Sequence, residues 1–103
     1  NSVARLQALY REGERTVRAA YQTIESMDKA MDLARESARV TKAETMALRK
    51  QLVIGGSTLD SVLSAEARLY DAEAKEINFL AERRSAELVI LSALGLLTDA
   101  VGL

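Results

Sequence analysis

From Val3 to Leu52 the sequence repeats every seven residues, and this repeat constrains the fold more than any other feature of the chain. One column runs Val3, Tyr10, Val17, Ile24, Met31, Ala38, Thr45, Leu52; the other runs Leu6, Gly13, Ala20, Met27, Ala34, Thr41, Leu48. Every member is apolar or small, which is the spacing of a helix lying against a partner helix along a narrow seam. No Pro interrupts the repeat and only 5 Gly occur in 103 residues, so little can break a helix here, while abundant Ala, Leu, Glu, Arg and Met favour one. A helix from about Ser2 to Val53 would be roughly 75–80 Å long at 1.5 Å per residue. Gly13, Ala20, Ala34 and Thr41 leave room for a close backbone approach. Glu14 with Arg18, and Glu25 with Lys29, have the i,i+4 spacing that supports a helix.

The repeat stops at Ile54-Gly55-Gly56-Ser57-Thr58. Either glycine can take the left-handed backbone that ends a helix. Ser57 or Thr58 can cap the next one, and Ser57 to Asp60 has capping-box spacing with Asp in place of Glu. Two long helices joined by so short a connection fold back on each other. The second helix is expected from about Leu59 to Leu94, ending at Gly95, with a short tail over 95–103 in which Thr98-Asp99 starts another element. Its inner stripe is Val62, Ala65, Leu69, Ala72, Phe79, Ala86, Ile90, Ala93 and Leu97, interrupted by Glu76 and Arg83. Ile77, Leu80, Leu88 and Leu91 lie to one side and widen the apolar surface, so this helix wants two neighbours. The expected fold is all-α, a single domain over 1–103: a long antiparallel coiled-coil helical hairpin with a tight Gly-Gly turn. A two-helix layer has no third element to close its core. It should therefore associate with copies of itself or be a fragment of a larger α-barrel, and as an isolated fragment it could form a non-native dimer.

Charge and composition exclude several functions. Lys plus Arg number 14 and Asp plus Glu 15; their interspersion marks solvated helix faces, not the basic footprint of a nucleic-acid binder. No run approaches the roughly 18 apolar residues of a membrane-spanning helix. Hydrophobic residues make up 49%, yet only Tyr10, Tyr21, Tyr70 and Phe79 are aromatic, so a bulky core with a concave pocket is not expected. There is no His and no Cys, and Gly55-Gly56 lacks the Lys of a P-loop. Catalytic residues, metal ligands and cofactors are accordingly expected to be none, and the chain reads as a non-enzyme. It begins at Asn1 without Met or a secretory signal, which reads as a processed product or an excised piece.

The stretch from Ile54 through Ala65, continuing to Leu69-Tyr70-Asp71-Ala72, resembles the tip of the periplasmic hairpin of TolC-like outer-membrane export channels. The family pattern is a Gly, a Thr three residues on, an aliphatic residue, a Val-Leu-Asp-Ala segment, a Leu-Tyr pair and a closing Ala-Leu-Gly. This chain supplies Gly55, Thr58, Leu59, Val62-Leu63, Ala65, Leu69-Tyr70 and Ala93-Leu94-Gly95. The Gly55-to-Gly95 distance fits the second, C-terminal hairpin of the family. The match covers about 41 residues, and the first helix agrees only in length and character. The resemblance implies a trimeric duct for type I protein secretion or multidrug efflux, anchored in the outer membrane by a β-barrel that is missing here. In such ducts the hairpin tips form a closable aperture and dock a periplasmic adaptor, which links the duct to an inner-membrane transporter. By that resemblance Ile54, Gly55, Gly56, Ser57 and Thr58 form the docking tip, and Asp60, Ser61 and Ser64 are the aperture-lining candidates. Family members carry acids at the positions of Ser61 and Ser64, and a Tyr and an Arg at those of Leu52 and Ser57, so an acidic ring and that clasp do not carry over.

Each of these features also has a plainer reading. From Gln51 to Ala65 only Asp60 is ionised, which suits a docking surface where few charges need desolvating and equally an ordinary helix–helix turn. Asp60 complements the dipole of the second helix, or contributes negative charge to a pore. Glu66, Glu73 and Glu87 recur at multiples of seven, a solvated stripe rather than paired acid–base carboxylates. Met27, Met31 and Met46 are better core fillers than a soft-metal site. Tyr70 is expected to pack between helices with its hydroxyl at the surface. The rival function is a freestanding coiled-coil interaction module, such as a signalling or adaptor hairpin.

Overall fold

The computed structural model describes residues 1–102. It consists of two helices, α1 (Ser2–Val53) and α2 (Leu59–Ala100), packed against each other as an all-α helical hairpin. No strand occurs among the described residues. Asn1 opens α1 as its cap, its Oδ1 accepting from the Ala4 amide at 2.7 Å.

Packing divides into two compact units, residues 29–80 and residues 1–28 with those from 81 onward. In the unit spanning 29–80, Met31, Ala34 and Thr45 of α1 are buried with Val62, Ala65 and Ala72 of α2. Thr45, only 1% exposed, donates its hydroxyl to the Thr41 carbonyl at 2.8 Å and so leaves no polar atom orphaned. In the other unit Ala20, Ala86 and Ala93 are buried, and Leu97 lies so close to Gly13 that a methyl added there would meet its Cδ1 at 3.3 Å. Alanine supplies half of the buried residues in the first unit and all of them in the second, which suits a narrow seam between closely spaced backbones.

Ion pairs cross between the helices beside the seams. Arg68 meets Glu44 at 2.8 Å, Arg35 meets Glu76 at 2.8 Å, and Arg49 grips Glu66. Arg83 reaches Asp28 at 2.7 Å and also holds Glu87 on its own helix. Glu76 and Arg83, which break the inner stripe of the sequence, are thus half-buried and paired. The hydrogen bond to Asp28 foremost, and the two carboxylates' charges against some desolvation, raise the Arg83 pKa. Along α1, Glu14 pairs with Arg18 at 2.7 Å. Arg39 donates to Glu36 at 2.6 Å, a hydrogen bond that, with its charge, lowers the Glu36 pKa.

In α2 the structure differs from the sequence expectation at two places. The helix does not stop at Leu94: α2 runs to Ala100, and Thr98-Asp99, instead of starting a new element, form its last turn. One Gly costs a helix only about 1 kcal/mol, and stopping at Gly95 would forfeit the Leu97–Gly13 contact. Thr98 donates its hydroxyl to the Leu94 carbonyl at 2.8 Å, and the helix closes at Gly102, whose φ is +76°. Tyr70 does not pack between the helices; it is 73% exposed, because it lies on the side of α2 turned away from α1.

Candidate docking tip

The turn is built by backbone geometry first. Gly55 takes φ +82°, its amide donating to the Leu52 carbonyl at 3.3 Å, while the Gly56 amide reaches the Gln51 carbonyl at 2.7 Å. Those two bonds are the Schellman closure of a helix, which needs the left-handed residue that Gly55 supplies without a Cβ penalty. Gly56 has no such requirement; a Cβ there would rest 3.5 Å from Gln51.

Hydroxyls then fix the next helix. Thr58 is the cap of α2: the Ser61 amide donates to its Oγ1 at 3.1 Å, and the two hydroxyls lie 2.9 Å apart. The Ser57-to-Asp60 capping box does not form, because the Ser57 hydroxyl instead turns back and donates to the Leu48 carbonyl at 2.7 Å. Asp60 occupies the first turn of α2, where the helix dipole favours a negative charge.

Of the docking residues expected from sequence, Ile54 is 82% exposed and Gly55 and Gly56 are open, whereas Ser57 is half-buried and Thr58 is engaged as a cap. Val53, Leu59 and Leu63, which were not among those candidates, are 87%, 59% and 52% exposed. Together with Ile54 they make an aliphatic cluster around the turn. Its signal was present in the sequence by subtraction: Leu52 and Val62 belong to the heptad stripes, which leaves their neighbours outside. The aperture candidates Asp60, Ser61 and Ser64 do come together, bordering one shallow hollow with Leu48 and the Glu44–Arg68 pair. Ser61 is tied to Thr58, which leaves Asp60 and Ser64 as the polar groups facing outward.

Among the described residues no cluster of His, Cys, Asp or Glu could hold a metal ion, and no helix is long and apolar enough to cross a membrane. The chain matches no family model, no curated protein and no solved structure. The tip presents four exposed aliphatic side chains on a hydrogen-bonded turn, with one carboxylate beside them. Such a surface binds by shape and apolar burial, at roughly 25 cal/mol per Å² removed from water.

Proposed function

We propose that this hairpin is a wall element of the periplasmic tunnel of an outer-membrane export duct, serving type I protein secretion or efflux, and that its turn docks a periplasmic adaptor. The observation that carries the reading is the exposed aliphatic cluster of Val53, Ile54, Leu59 and Leu63 on a turn held rigid by the Gly55 closure and the Thr58 cap. A mere reversal of direction needs the closure and the cap but not the aliphatics; large apolar groups kept in water mark an interaction surface. The duct is passive, energy coming from an inner-membrane transporter, and Asp60 adds negative charge at its mouth. The resemblance of the Gly55–Gly95 stretch to TolC-like hairpins supplies the identity of the partner. The alternative, a freestanding coiled-coil module, is disfavoured by α2, which carries exposed Ile77, Leu88 and Leu91 beyond what one partner helix needs.

Ile54→Asp and Gly56→Leu, placed in the native gene, should abolish export while circular dichroism of the purified hairpin stays helical. Gly55 is unsuited to this test, because any side chain there strains the turn itself. Normal export by both variants would remove the docking claim.

A further inference from the structure

The heptad repeat of α1 begins at Val3, yet Val3, Leu6 and Tyr10 stay exposed, whereas Ala20 further along the same seam is buried. The seam closes where Leu97 meets Gly13. Beyond that contact, toward the start of α1 and the end of α2, seam residues of both helices border a common space without filling it. Leu6 and Tyr10 of α1, with Leu94, Leu97 and Val101 of α2, line a cleft of about 500 Å³. Packed helices stand about 8–10 Å apart, so the space between them is about one side chain wide. A third helix, roughly 10–12 Å across, can lie over such a cleft but cannot enter it. An unbranched alkyl chain can.

The rim adds a charge of one sign. Gln7, Arg11 and Thr98 border the cleft, and no carboxylate does. Arg11 has no ion-pair partner among the described residues. Glu14 and Arg18, next along α1, satisfy each other at 2.7 Å. Glu12 and Asp99 stand two residues beyond Tyr10 and Leu97, which places them about 200° round their helices, on the far sides. Arg5 and Arg15 bring only further positive charge. The Thr98 hydroxyl donates to the Leu94 carbonyl at 2.8 Å, which leaves the Gln7 amide and the Arg11 guanidinium as the donors at the rim. They are four residues apart, hence neighbours on one helix face. A guanidinium presents a planar fork that matches a carboxylate.

We infer that this cleft takes the alkyl chain of a single-chain carboxylate amphiphile, of the fatty-acid class, and that Arg11 and Gln7 hold its carboxylate. A cationic amphiphile would meet Arg11 with like charge, and a neutral one would leave the guanidinium unanswered. The cleft belongs to the unit that lacks the turn, so the inference is independent of the export reading, and either can fail alone.

Nuclear magnetic resonance of the 103-residue chain, titrated with dodecanoate below its micelle concentration, tests it. The amides of Leu6, Tyr10, Leu97 and Val101 should shift saturably while those of the turn stay in place. Octanoate should bind about tenfold more weakly, because it has fewer methylenes to bury. Arg11→Glu should weaken dodecanoate binding about tenfold, and Leu6→Asp should abolish it. Both replaced residues are exposed, and circular dichroism confirms that each variant stays helical; the comparison among ligands needs no variant. No saturable shift at the cleft, equal affinity for dodecyltrimethylammonium, or an Arg11→Glu variant that binds like the parent would overturn the inference. The same amides shifting with chain concentration alone, and not with dodecanoate, would make the occupant a second copy and overturn it too. Binding to vesicles of phosphatidylcholine and phosphatidylglycerol without any response to dodecanoate would assign the cleft to a lipid surface instead.

Discussion

An alanine side chain at Gly95 would meet nothing within 4 Å, whereas Gly55 sits at φ +82°, where a Cβ crowds the neighbouring backbone. The same substitution should therefore have opposite signs at the two positions. Gly95→Ala removes a helix-interior glycine and should stabilise the hairpin by about 1 kcal/mol. Gly55→Ala should destabilise it by about 1–2 kcal/mol, the cost of a non-glycine residue held left-handed. Urea unfolding followed by circular dichroism measures both; equal effects would mean that the Schellman closure does not govern the turn. Sequence alone left the left-handed position open between Gly55 and Gly56, of which Gly55 takes it, and gave Gly95 the role of helix end, which it does not have. Propensity marks where a helix is weakened, and only packing decides whether it stops.

At the scale of the helices, the inner stripe of α2 and the columns of α1 account for nearly all burial, from Gly13 to Leu52 on α1 and from Val62 to Leu97 on α2. Val3, Leu6 and Tyr10 stay exposed although the repeat includes them. Glu76 and Arg83 stand at seam positions where an aliphatic residue would bury more surface, yet each answers a specific charge on α1. Pairs of this kind contribute little net stability but penalise a shifted register. Glu76→Leu should leave the hairpin as stable or about 1 kcal/mol more stable, with Arg35 keeping Asp32 3.9 Å away. The variant should also populate slipped pairings, which a spin-label distance measurement between the helices would resolve as a broadened distribution. A sharp loss of stability would show that the pair is a main support of the fold.

For the molecule as a whole, a core built largely of alanine holds two helices together with little buried area, while Leu33, Tyr70, Ile77, Leu88 and Leu91 remain in water. Association that covers such residues stabilises by mass action. The thermal midpoint should accordingly rise as chain concentration goes from about 1 to about 100 µM; an unchanged midpoint would mean that the hairpin gains nothing from a neighbour. The all-α class, the break at 54–58 and the two helical stripes were legible in the sequence, because a seven-residue repeat without proline allows one local conformation and one buried face. The charge-poor tip was legible too, as a composition. The end of α2, the choice of Thr58 over Ser57 as cap, the outward turn of Tyr70, the exposure of Val53, Leu59 and Leu63, and the pairing of Glu76 and Arg83 were not. Each depends on which groups the partner helix covers or reaches, and a periodic pattern fixes the direction of a side chain around its own helix without saying what stands opposite it.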